Sequence, residues 1–133
     1  MSQEQVDLVR SGYGQFAITG RFEADIIAPD FVWDMSHFHG WPEQMVYMGV
    51  EGARRFLADW SAAWDDWQMD VEALHDAGDS VVAVLHQRGR SKGAGMLVDM
   101  RFAQIWTFRD GEQTRMDTYS DPAEALEAVG LEK

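Results

Sequence analysis

The sequence predicts an α+β fold in one domain, with helices gathered at the front and packed on one face of a curved, mainly antiparallel sheet. Three observations carry this. The first half of the chain holds apolar residues at helical spacing, the region beyond Trp67 holds alternating strands separated by turn residues, and the connections between those strands are too short for anything but antiparallel neighbours. At 133 residues the chain fits a single domain spanning residues 1–133, with neither an internal repeat nor a linker.

Taken in order, Val6, Val9, Tyr13 and Phe16 share one face of a first helix that ends near Gly20, which aims Tyr13 inward. Phe22 to Ala28 reads as a short second helix closed by Pro29-Asp30, and Phe31 to Ser36 as a strand. His37 to Tyr47 has loop composition, but its aromatic content implies that it folds over something. From Val50, the series Ala53, Phe56, Leu57, Trp60, Ala63, Trp64 and Trp67 predicts a helix of about five turns with a tryptophan stripe of core type. Strands are expected at Gln68–His75, Ser80–Arg90, Met96–Arg109 and Glu112–Tyr119, and Asp121-Pro122 opens a last helix with Ala125, Leu126 and Val129 inward.

Composition excludes several classes of function. A formal net charge of −12 argues against nucleic acid, which needs a basic face. The absence of cysteine removes disulfides, thiolate nucleophiles and zinc–thiolate sites. The first ten residues lack a basic start followed by an apolar run, and no apolar stretch is long enough to span a bilayer, so the expected setting is cytoplasmic, with no membrane partner.

Candidate chemistry concentrates in Phe31-Val32-Trp33-Asp34-Met35-Ser36-His37-Phe38-His39-Gly40-Trp41, where a carboxylate ends an aromatic run and two histidines follow. This is either a strand end capped by polar residues or one wall of a pocket. His37 and His39 could join His86 around a metal, although an exposed loop is the commoner explanation and no metal is expected. On the long strand Gln104 is the one amide in the apolar row Met96, Val98, Met100, Phe102, Trp106 and Phe108, so it must find a partner inside. Asp117 and Tyr119 are expected on the outer face of the last strand, and the face of His86 and Arg88 is open.

The order of elements, together with Phe31 to Ser36, Gly49-Val50-Glu51-Gly52, Phe102 to Gly111 and Tyr119-Ser120-Asp121, resembles the SnoaL-like branch of the nuclear transport factor 2-like superfamily. That resemblance covers essentially the whole chain and implies a cone-like domain whose sheet and helices enclose a pocket for a small, largely apolar organic ligand. It also implies a homodimer through the outer sheet face. Ketosteroid isomerases of this superfamily set a carboxylate base opposite a tyrosine and a protonated aspartic acid. Tyr13 and Asp34 fall at the tyrosine and base positions, while Gln104 stands where the acid would be. By the same resemblance, the Asp-Arg-Asp set of the epoxide hydrolases falls on Gln87, Leu85 and Thr118, which makes epoxide hydrolysis the less favoured alternative. SnoaL-type cyclases use an acidic residue in an aldol closure, a task Asp34 could share with a histidine.

The resemblance thus implies a cofactor-independent acid/base enzyme of isomerase, cyclase or lyase type acting on a carbonyl compound. Asp34 is the expected base, Tyr13 and Gln104 hold the enolate oxygen, and His37 or His39 shuttles protons at the mouth. Trp33, Phe38, Trp41, Trp60, Gln87, Trp106, Met116 and Thr118 are the expected substrate contacts. The alternative is a non-catalytic domain using the same pocket to bind.

Overall fold

The computed structural model describes residues 2–19, 27–38, 45–93 and 95–131. Its elements run α1 (Ser2–Thr19), β1 (Ile27–His37), β2 (Val46–Met48), α2 (Gly49–Ala62), β3 (Trp64–Asp76), β4 (Ser80–Ser91), β5 (Leu97–Arg109), β6 (Glu112–Tyr119) and α3 (Pro122–Ala128). The six strands form one curved sheet in the order β2-β1-β6-β5-β4-β3. β1 runs parallel to β6, and every other neighbouring pair is antiparallel. Short turns force the β3–β4, β4–β5 and β5–β6 pairs to be antiparallel, whereas β1 and β6 are separated by most of the chain and are free to run together. The β5–β6 turn is Asp110-Gly111 with φ of 54° and 80°, the two left-handed residues that a two-residue hairpin favours.

The concave face of the sheet carries α1 and α2. Val6 and Val9 of α1, and Ala53, Phe56 and Trp60 of α2, join Phe31, Trp33, Met35, Val81, Ala83, Leu85, Phe102 and Trp106 in the main core. α3 differs from the expectation that all helices share one face. Its Ala125 and Leu126 pack on Val82, Ala103 and Ile105, the alternate positions of β4 and β5, so α3 covers part of the opposite face. Asp121 caps this helix by accepting the Ala123 N–H at 2.9 Å, with Pro122 in the first turn.

Three expectations along the chain need correction. Ile27 and Ala28 belong to β1 and not to a helix, while the rest of the expected second helix lies outside the described residues. Pro29 and Asp30 sit at a register shift in β1, where a residue lacking an N–H is tolerated. Val46 and Tyr47, read as the end of a loop, form the edge strand β2 together with Met48.

The tryptophan stripe is the third case. α2 stops at Ala62, and Trp64 and Trp67 begin β3. A register shift between Asp65 and Gln68, with Asp66 at φ 53°, lets two strand residues three apart both face inward, mimicking helical spacing. Gly89 on β4 makes room for them: a Cβ there would lie 3.3 Å from the Trp64 ring and 3.5 Å from the Trp67 Cα.

The convex face not covered by α3 is charged. Arg88 pairs with Asp70 at 2.6 Å, His86 with Asp99 at 2.7 Å, and Arg101 with Glu72 at 2.8 Å. His86 and Arg88 are thereby assigned to this outer face, next to Asp70, Glu72, Asp99 and Arg101 on the neighbouring strands.

Candidate functional site

A cavity of about 280 Å³ lies between α1, α2 and the concave face of the sheet. Strand alternation selects its wall: Trp33 and Met35 from β1, Phe102, Gln104 and Trp106 from β5, and Thr118 from β6 all point inward. The helices add Tyr13, Phe16, Phe56 and Trp60. The rings hold one another in place, with Trp33 stacked on Phe56 at 4.7 Å between centroids and Trp106 edge-on to Tyr13 at 6.1 Å.

One end of this apolar chamber is polar and hydrogen-bonded. The Tyr13 hydroxyl accepts the Trp106 indole N–H at 2.8 Å and donates to the Gln104 carboxamide oxygen. Gln104, opposite Thr118 in the β5–β6 register, donates to the Thr118 hydroxyl at 3.4 Å, which donates in turn to the Met116 sulfur at 3.3 Å. The partners demanded by an amide in an apolar row are therefore a tyrosine from the first helix and a threonine from the last strand. These bonds leave one N–H of Gln104 and one lone pair on Tyr13 for a ligand. Burial pushes the Tyr13 phenol above its ordinary pKa, against the opposing effect of the Trp106 hydrogen bond, so Tyr13 is a neutral hydrogen-bonding group.

Asp34 is not part of this wall. As the residue between Trp33 and Met35 it faces the other side of β1, where it lies opposite Asp117 of β6 in the parallel register. Its carboxylate accepts the Ser36 N–H at 2.8 Å and pairs with the Arg115 guanidinium, which also holds Asp117 at 3.0 Å. Burial acts to raise the Asp34 pKa, but the Ser36 hydrogen bonds and the Arg115 charge prevail and hold it below the usual carboxylate value. The structure thus joins Tyr13 with Gln104 and separates both from Asp34, because pleat alternation allows only one of two adjacent residues to face the cavity.

The other expected residues divide similarly. Trp33, Trp60, Trp106 and Thr118 line the cavity. Phe38 is buried one layer behind, edge-on to Trp60 at 5.7 Å and to Phe102 at 5.8 Å. Met116 is fully buried beneath Thr118, and Gln87 is fully buried beside Met69 without lining the cavity surface. His37 is exposed and stacks on Tyr119 at 4.4 Å on the outer face, on a different strand from His86 and engaged with a different partner. His39 and Trp41 lie outside the described residues.

Gln113 is a wall residue that periodicity misses. Phe108 pairs with Gln113 and Trp106 with Met116, so two residues of β5 span three of β6 and a bulge at Thr114 turns both Gln113 and Met116 inward. Simple alternation would put the two on opposite faces, and no glycine or proline marks the bulge. With Gln113 included, the described lining contains no carboxylate, histidine, lysine or arginine.

Comparison with known proteins agrees with this architecture. A nuclear transport factor 2-like protein from Burkholderia thailandensis superposes with a TM-score of 0.74 at 23% identity, covering 94% of this chain and 96% of the other. TerC co-crystallised with polyporic acid gives 0.71 at 22% identity, covering 94% and 97%. A protein of ketosteroid isomerase-like fold from Catenulispora acidiphila, in complex with trimethylamine, gives 0.61 at 21% identity, covering 80% and 78%. No curated protein matches the sequence. The model of the SnoaL-like domain matches residues 21–116, the segment that supplies all of the cavity wall except α1 and Thr118, and the chain belongs to that family.

Proposed function

We propose that this chain binds a small, uncharged, largely apolar aromatic compound in the cavity, with its polar edge on Gln104, Tyr13 and Thr118. The observation that carries this reading is the wall itself. It is a chamber of about 280 Å³ lined by eight aromatic side chains and, among the described residues, by no charged group. Such a site rewards apolar area and ring stacking and penalises a charge brought into it. Co-crystallisation of TerC, similar in fold, with polyporic acid supports a small-molecule pocket in this fold.

Acid/base chemistry on a carbonyl compound needs a proton acceptor within hydrogen-bond reach of the substrate. Asp34 is turned to the other face and held by Arg115, and Tyr13 stays protonated, so the described wall supplies donors without a base. Binding without turnover is therefore the reading that the geometry favours over an isomerase, cyclase or lyase.

Four tryptophans, Trp33, Trp60, Trp67 and Trp106, line the cavity, so occupancy is read by quenching of intrinsic fluorescence. Titration with 4-hydroxybiphenyl should give saturable quenching, and protein incubated with 2-tetralone in heavy water should show no exchange at the activated carbon above the buffer rate. Enzyme-dependent exchange that is lost in Tyr13→Phe would replace binding with proton abstraction as the function.

A further inference from the structure

We infer that the cavity has a second polar contact, built from Gln87 on β4 and the indole N–H of Trp67 on β3, that takes a hydroxyl oxygen at the far end of the ligand. This rests on the binding reading above and extends it to a ligand with polar atoms at two opposite ends.

Several buried polar atoms on β3 and β4 have no partner among the described residues. Gln87 is completely buried, and neither its amide nitrogen nor its carbonyl oxygen has a hydrogen-bond partner among the described residues. The indole nitrogens of Trp64 and Trp67 are buried and unpartnered as well. Buried polar groups are almost always paired, and a concentration of exceptions marks a place where water or a ligand belongs.

These groups lie together. Gln87 is opposite Met69 in the β3–β4 register and opposite Met100 in the β4–β5 register. Two residues further along the same face of β4, Gly89 is covered by the benzo edge of Trp64 and by Trp67, whose Cδ1, the ring carbon next to the N–H, lies 3.6 Å from the site of its missing Cβ. Trp67 and Met69 both line the cavity. Met69, the cross-strand partner of Gln87, lines the chamber, and its unbranched, flexible side chain can yield to a ligand by a rotamer change.

The position and chemistry of the second contact define the ligand. Gln104 and Met100 are four residues apart on β5, so the two polar ends are separated by about 13 Å of strand, at roughly 3.3 Å per residue. Phe102 lies between them and faces the cavity. An indole N–H can only donate, and the Gln87 carbonyl can only accept. A hydroxyl meets both demands, accepting from tryptophan and donating to the amide oxygen. The ligand class is therefore an elongated aromatic compound with a hydroxyl at each end.

The test compares 4-hydroxybiphenyl with 4,4′-dihydroxybiphenyl by isothermal titration calorimetry. The wild type should bind the diol at least tenfold more tightly than the mono-phenol, and Gln87→Met should shrink that ratio at least fivefold. A wild-type ratio below tenfold, or a smaller change in the variant, overturns the second contact while leaving the first intact. If neither probe binds the wild type, the binding reading itself is overturned. Trp67→Phe removes the N–H together with the pyrrole part of the indole, a loss of area that both probes share, so the diol-to-mono-phenol ratio gives the same readout should Gln87→Met fail to fold.

Discussion

Asp34→Asn separates a structural carboxylate from a catalytic one, and the structure sets the size of the effect. The Asp34 side chain is 11% exposed and that of Arg115 is 42% exposed. Asparagine still offers an oxygen to the Ser36 N–H, and Arg115 keeps Asp117. The variant therefore loses one charge-assisted hydrogen bond, worth about 1.5–3 kcal/mol in general and about 1–2 kcal/mol here once the half-exposed guanidinium is allowed for. With an unfolding entropy of about 2.1 cal/mol/K per residue, that corresponds to a fall in Tm of about 4–7 °C.

The pH dependence has a definite sign. The folded-state pKa of Asp34 lies below its unfolded value, so its contribution is present above about pH 4 and is lost as pH falls through the folded value. Thermal denaturation followed by circular dichroism should show the full gap between wild type and variant at pH 7 and a shrinking gap below pH 4. Binding of 4-hydroxybiphenyl should be unchanged, since Asp34 faces away from the cavity. An unaltered Tm combined with lost binding would falsify this placement of Asp34.

Further outcomes follow from single contacts. Tyr13→Phe strips the Trp106 N–H and the Gln104 carbonyl of their shared partner, and should cost about 1–3 kcal/mol in urea denaturation and weaken binding of phenolic probes. Because the folded Tyr13 pKa is raised, its contribution is complete below the unfolded value of about 10 and declines at higher pH, so the wild-type urea midpoint should fall above pH 10 more steeply than that of Tyr13→Phe. Gly52→Ala puts a Cβ 2.9 Å from the Tyr47 carbonyl carbon and should destabilise by about 1–3 kcal/mol. Gly14→Ala, in open space within α1, should stabilise by about 0.5–1 kcal/mol in the same assay.

The sequence by itself determined the elements whose signals are local. Helical spacing from Val6 to Phe16 placed Tyr13 on the inner face of α1, Asp-Gly marked the β5–β6 hairpin, and strict alternation along β5 put Gln104 in the same row as Phe102 and Trp106. Each depends on a few consecutive residues and their own periodicity. The tertiary structure decided what depends on register between distant strands. The shifts near Asp65 and Thr114 convert odd spacings into shared faces, bringing Trp64, Trp67 and Gln113 to positions that a period of two or 3.6 misassigns.

Asp34 shows the limit most directly. Its neighbours are the same whichever way the strand faces, and a single residue of pleat separates a base inside a pocket from a salt bridge outside it. What turns it outward is Arg115, 81 residues away, together with the burial of Trp33 and Met35 on either side. That choice is made by packing across the parallel β1–β6 pair, which no short window of sequence contains.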